Sequence, residues 1–155
     1  MVFLADLHLH SHFSRATSVD SRPLPLAAAA AQKGLRVIGT GDCTHAGWRA
    51  ELAEALVPAE EGLYRLREAE GPAAEVRFVV SGEISCIYKQ DGRTRKIHHL
   101  LLFPHLEAAA AFSRALEARG ANLEADGRPI VGLDSRTVLS LLLEIDPQAL
   151  LIPAH

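Results

Sequence analysis

The 155-residue sequence predicts an α/β fold, with short parallel strands inside and helices outside. Three observations carry this expectation. Short apolar runs recur along the chain, and several are rich in β-branched residues. Stretches rich in alanine or leucine, with glycine stops, separate them. Neither an internal repeat nor a linker-like composition interrupts the alternation, so residues 1–155 are expected to form one domain.

The elements follow in order. Residues 2–7 read as a short buried strand, followed by the polar loop HSHFSRATSVDSRP. Residues 24–33 are alanine-rich and end at Gly34, the pattern of a helix with a glycine stop. Residues 35–39 (LRVIG) form a second strand. The loop GTGDCTHAG leads into a helix over residues 48–56, and residues 60–70 are expected to add a further helical piece. Residues 76–80 are the third strand. Residues 84–89 then pair with 94–103 around Gln90-Asp91-Gly92-Arg93, because Asp-Gly accepts the positive φ of a tight turn. Residues 106–119 read as a helix stopped by Gly120, and residues 124–129 as a loop. Residues 135–145 form a helix with Asp134 as its cap. Residues 149–152 give a fourth core strand before Pro153-Ala154-His155.

Composition narrows the function classes. A net charge of −3 leaves no global basic field for nucleic acid, so any such contact must be local. Cys43 and Cys86 fit no CxxC pattern, which argues against a disulfide framework and for a reducing, cytoplasmic setting. The first residues lack the basic-then-apolar order of a signal peptide. The apolar stretch 138–145 is too short to span a bilayer, so no membrane association is expected. GTGD lacks the later glycines and the lysine of a nucleotide-binding loop, and no GxSxG elbow is present.

The histidines are the strongest signal. Three of eight lie at His8, His10 and His12, two are adjacent at His98 and His99, and one is His155. Each expected strand ends in ligand-type residues. They are Asp6, His8 and His10, then Asp42, Cys43 and His45, then Glu83, then His98 and His99, then His155. In α/β sheets and barrels, sites form at the carboxyl ends of parallel strands, so these groups are expected to converge.

His8 and His10 are two residues apart, which puts both imidazoles on one side of an extended chain. Asp6 shares that side, as a ligand or as the group that orients an imidazole. Glu83 follows an apolar strand, and a buried carboxylate needs a partner, most simply a cation. Only one of His98 and His99 can face the site, because successive strand residues alternate. His12 and His45 are weaker candidates, and His105 reads as a surface loop residue. Nitrogen and oxygen donors without a cysteine cluster suit Zn, Mn or Fe. Arg15 and Arg22, in the first loop, are available to hold phosphate oxygens.

The motifs DLHLHSHFS, GLRVIGTGD, SGEIS, KIHHLLLF and LIPAH, in that order, resemble the PHP (polymerase and histidinol phosphatase) superfamily across nearly the whole chain. Within it, GTGD followed by a Trp, HHLLLFP, EADGRP and PAH are most similar to endonuclease Q and its bacterial homologues. The resemblance implies part of a distorted seven-stranded βα barrel with two or three divalent ions (Zn, Mn, Fe or Mg). It implies a phosphoesterase, with DNA as substrate and nicking at deaminated bases. It implies His8, His10, Glu83 and His155 as metal ligands, Glu83 bridging two ions. His98 is the implied hairpin ligand, or His99 if the register shifts by one.

Glu83 and His10 are the expected catalytic positions. Asp6 and Asp42 are further metal candidates, and Arg15 is the phosphate-binding candidate. The chain has Asp42-Cys43 where many members have Asp-His, which bears on a third ion. The family barrel also runs on past PAH to a late Asp-x-His. The chain therefore reads as the N-terminal part of a longer protein, with an open sheet edge suited to pairing with another copy. A small-molecule phosphomonoesterase and a catalytically incomplete metal-binding module are the alternatives.

Overall fold

A computed structural model describes residues 2–155, and its centre is one long strand. The first elements are β1 (Leu4–Asp6), α1 (Pro23–Gln32), β2 (Leu35–Gly39) and α2 (Ala46–Ala55). A small hairpin follows, β3 (Leu56–Pro58) and β4 (Tyr64–Leu66), then a 3-10 turn at Gly71–Glu75. The second half holds β5 (Arg77–Gln90), β6 (Arg93–Phe103), α3 (Leu106–Glu117), β7 (Ile130–Val131), α4 (Ser135–Ile145) and β8 (Leu150–Pro153).

Strand β5 organises the sheet by changing partners along its 14 residues. Its first residues pair in parallel with β2, from Val37↔Arg77 to Gly39↔Val79, and β2 pairs in parallel with β1. On its other edge Phe78 meets Tyr64 of β4. From Val80↔Phe103 to Gln90↔Arg93 it runs antiparallel to β6 without a break in register. Strand β7 takes the edge that β2 has left, at Ser85↔Ile130, and β8 adds antiparallel to the far side of β6.

Local chemistry explains the helices. A proline in the first turn of α1 has no N–H to waste there, and Gly34, at φ 75°, ends that segment as expected. The start of α4 is capped by Asp134, which accepts from Thr137 N at 3.0 Å and from its hydroxyl at 2.7 Å. The core beneath the helices is built on Trp48, Phe78, Phe103, Phe112, Ile38, Ile84 and Leu116, all fully or almost fully buried. Each such side chain contributes about 1.5–3 kcal/mol by leaving water.

Four expectations change. Residues 60–70 are not helical: Tyr64-Arg65-Leu66 alternate buried, exposed, buried, a strand period, and they pair with β3. The third strand does not stop at residue 80 but continues through Ser-Gly-Glu-Ile-Ser into the hairpin arm. The sheet is mixed rather than parallel, because β6 and the β3–β4 hairpin introduce antiparallel pairs. Strands β1 and β8 are largely exposed rather than buried, with Leu4 at 61% and Leu150 at 55%. Each has a sheet partner on one side only. Among the described residues, no helix is long and apolar enough to cross a membrane.

Candidate metal centre

The loop after β1 lies directly across the end of β2, and two glycines make that possible. A Cβ on Gly39 would collide with the Leu7 carbonyl, and one on Gly41 with the Leu9 carbonyl. Gly41 also has φ 66°, and Asp42, at φ 47°, continues the left-handed turn. The backbone of residues 7–10 is thus pressed onto β2, and His8 and His10 project over the middle of β5.

Glu83 is where they meet. Its carboxylate is completely buried. Oε2 accepts from His8 Nε2 at 2.9 Å and lies 3.1 Å from His10 Nε2. Oε1 is hydrogen-bonded to His98 Nδ1 and lies 3.7 Å from His155 Nε2. Each oxygen therefore serves one pair of imidazoles. His155 is brought in by backbone pairing: His98 N donates to its carbonyl at 2.8 Å, and Ala154 N donates to the His98 carbonyl at 2.9 Å. The His98 and His155 rings sit 4.7 Å apart, and those of His8 and His155 stack at 5.8 Å.

The electrostatics fit a site held ready for cations. Burial pushes the Glu83 carboxyl up. Hydrogen bonds from His8 and His98, with the nearby imidazole charges, outweigh it and hold the group below its ordinary value. One donor atom each from His8, Glu83 and His155 lies within 4.8 Å of the others, close enough to share one ion. A buried carboxylate ringed by nitrogen donors is compatible with a divalent ion.

Asp42 stands behind this ring. It is fully buried, and its Oδ1 holds His10 Nδ1 at 3.0 Å. Its Oδ2 accepts from Ser11 N at 2.7 Å, Ser11 Oγ at 2.7 Å and Ser14 Oγ at 2.8 Å. Burial raises the Asp42 carboxyl, but these donors more than reverse that and leave it lowered. The bond to Asp42 is also the main reason the His10 imidazole is raised, against the effect of burial. Asp42 turns its oxygens to His10 and the serines, and so fixes the orientation of the His10 ring.

Other sequence candidates lie apart from Glu83. The Asp6 carboxylate accepts from the His8 backbone N–H at 3.2 Å and so shapes the start of the loop. His99 points to the opposite face of β6, where its Nε2 meets Ser135 Oγ at 2.8 Å and its Nδ1 is buried with no hydrogen-bond partner among the described residues. Arg15 is largely exposed and lies 3.4 Å from Asp126. Arg22 and His12 both bind Glu51. His45 and His105 cap α2 and α3 through Nδ1, His105 from the exposed surface loop in which it was expected. Cys43 is buried against Gly82, where an added Cβ would come within 2.9 Å of its sulfur.

Sequence reasoning missed Arg128. Its guanidinium Nη1 is 3.8 Å from Glu83 Oε2 at the mouth of the site. The loop that carries it is held by Gly127 N to the Phe13 carbonyl at 3.1 Å and by Ser85 N to the Pro129 carbonyl at 2.9 Å. Gly127 packs so closely on Asp42 and Ser14 that a Cβ there would overlap both side chains. The signal was present in EADGRP, a glycine beside an arginine in a polar loop.

No family model matches the chain. The crystal structure of the lesion-specific endonuclease PfuEndoQ from Pyrococcus furiosus superposes on the whole chain with a TM-score of 0.82 and 32% identity. The chain is similar to endonuclease Q. A crystal structure of endonuclease Q in complex with a 27-mer duplex substrate, an abasic lesion at its active site, matches 97% of the chain with a TM-score of 0.79 and 32% identity. The chain spans 35% and 34% of these two endonuclease Q chains. It is also 28% identical, over all 155 residues, to an uncharacterized protein of Methanocaldococcus jannaschii, of which it spans 16%.

Proposed function

We propose that residues 1–155 are a PHP-type phosphoesterase domain, part of a distorted seven-stranded barrel, and that the protein is a metal-dependent DNA repair endonuclease. The observation that carries this is the division of labour at Glu83, with one carboxylate oxygen facing His8 and His10 and the other facing His98 and His155. His8, His10, Glu83, His98 and His155 would hold two or three divalent ions of the Zn, Mn, Fe or Mg class, with Cys43 weighing against the third. Bound divalent ions would supply charge neutralisation at phosphorus and a nucleophile drawn from water at neutral pH.

The chain's own residues do the rest. His8, His10, Glu83, His98 and His155 hold the donor set, and Asp42 keeps the His10 ring from turning. Arg128, at the mouth, holds a non-bridging phosphate oxygen in the role the sequence had suggested for Arg15. The substrate is duplex DNA carrying a deaminated base, and the setting is the cytoplasm. The likeness to endonuclease Q in fold, identity and DNA-bound form supports this reading.

The test is strand cleavage of uracil- and hypoxanthine-containing duplexes by metal-loaded protein, with Glu83→Gln as control and metal counted by elemental analysis. Nicking near the lesion, lost in E83Q with the metal, is expected. Absence of cleavage with Mn, Mg or Zn supplied removes the endonuclease reading. A second reading, a small-molecule phosphomonoesterase, is favoured by the net charge of −3. It is selected by turnover of a generic phosphomonoester without DNA binding.

A further inference from the structure

The β5–β6 hairpin projects from the metal centre, and its outer half is basic. Lys89, Arg93, Arg95 and Lys96 are all exposed, with Asp91 the one carboxylate among them. This is a local charge of +3 on a chain whose net charge is −3. Among the described residues none of the four has an ion-pair partner; other basic residues also lack one, and what sets these four apart is that they cluster on one exposed element. A cluster of free cations on one protruding element, on an otherwise acidic chain, is a focused field for a polyanion.

The register ties this patch to the site. The pairs Ser85↔His98, Ile87↔Lys96 and Lys89↔Thr94 are unbroken. Side chains alternate along each strand. Lys96 and Lys89 therefore share the pleated face that carries Glu83 and His98, while Arg95 and Arg93 lie on the other face near the turn. From His98 to Gly92 the arm runs about 20 Å at ~3.4 Å per residue, comparable to about six base steps of B-form DNA. A strand whose phosphodiester reaches Arg128 beside the imidazole cluster would lie along Lys96 and Lys89.

We propose that the β5–β6 hairpin is a DNA-backbone arm, in which Lys89, Arg93, Arg95 and Lys96 bind duplex phosphates flanking the nucleotide at the metal centre. It rests on the reading of the chain as a DNA-cleaving domain and adds where the duplex lies. Within these 155 residues the rest of the chain is acidic on balance, which makes the arm the element suited to this contact. Phosphate contacts position the duplex and carry no sequence information, so the arm serves lesion-containing and lesion-free DNA alike.

The experiment measures binding of a fluorescent duplex, with and without the lesion, across a salt series. It compares the metal-loaded protein with the K89Q/K96Q, R93Q/R95Q and fourfold glutamine variants. The slope of log affinity against log salt should fall by about 0.9 for each phosphate contact removed, so by about 2 to 4 in the fourfold variant. The loss should be equal for both duplexes. Thermal melting and turnover of a small phosphodiester, too short to reach the arm, should match the parent. An unchanged slope in the fourfold variant overturns the arm, and so does a parent that binds no duplex. Slope loss in a protein that cleaves no phosphoester sustains the arm and removes the hydrolytic reading instead.

Discussion

His10 Nδ1 donates to the buried Oδ1 of Asp42 at 3.0 Å, and this bond aims the opposite nitrogen of the same ring at Glu83, 3.1 Å away. Asp42→Asn should therefore act on metal binding through His10. An amide in that place turns an N–H toward either the imidazole or the two serine hydroxyls. Stability should fall by about 2–3 kcal/mol, and metal affinity by about 10- to 100-fold. Thermal melting and chelator competition measure the two effects separately.

The same pair sets a pH window in chelator-treated protein. The Asp42 carboxyl is lowered, so its stabilisation is present above the ordinary value of 3.8 and fades as pH falls through the folded-state value. The His10 imidazole is raised, so its contribution is present below 6.5 and fades as pH rises through its folded-state value. Melting temperature against pH should show a plateau between these limits. In D42N both limbs should flatten.

Adjacent histidines should behave as opposites. His98→Ala should lower the metal content of the purified protein, because its imidazole faces Glu83. His99→Ala should leave metal content unchanged while lowering the melting temperature. That ring fills a buried space against Ser135 and is held neutral by burial. Elemental analysis beside a melting curve checks both.

Arg128→Ala should cut phosphodiester turnover by about 10²–10³, the scale of losing one charge-stabilising donor, with metal content intact. Arg128→Lys should recover only part of it, since a point charge cannot make the two-pronged contact of a guanidinium. Arg15→Ala, on an exposed side chain, should be near neutral. Rate assays on the three variants order these effects.

Gly127→Ala should displace the arginine loop. The new methyl would overlap the Asp42 carboxylate and Ser14 Oγ, neither of which can yield while bonded to its partners. A loss of about 1–3 kcal/mol is expected, with turnover falling as in R128A. A crystal structure of the variant would show the displacement directly.

Both thiols should resist alkylation in the folded protein. Burial pushes the Cys86 thiol up to about 11 from an ordinary value of 9.0, and raises Cys43 further. An unfolded chain ionises these groups earlier, so stability should decline as pH rises from about 9 toward 11. Iodoacetamide labelling, native against denatured, reads the first effect, and alkaline melting curves read the second.

Much of this was legible in the sequence because local chemistry decided it. Asp134 and Thr137 make a cap that needs nothing beyond four residues, and Asp91-Gly92 makes the tight turn that was expected. The i, i+2 spacing of His8 and His10 placed them on one side. What was misread depended on distant partners. Residues 64–66 are too short to reveal a two-residue period until Phe78 supplies a strand for Tyr64 to join. Arg128 sits 45 residues after Glu83, and only the close packing of Gly127 on Asp42 brings the two together. Apolar content made β1 and β8 read as interior strands, but sheet order puts each at an edge.

The two-residue turn at Asp91-Gly92 also decides a question of parity. Between Glu83 and His98 the hairpin keeps strict alternation, so an odd or even count of residues selects which imidazole reaches the carboxylate. A one-residue slip of either strand in that interval would exchange the faces of His98 and His99 and send the imidazole that meets Glu83 into the core. Pairing far from the site thus acts as a counter for it, and a single insertion within a strand should be tolerated less well than one in the turn, which can lengthen the loop.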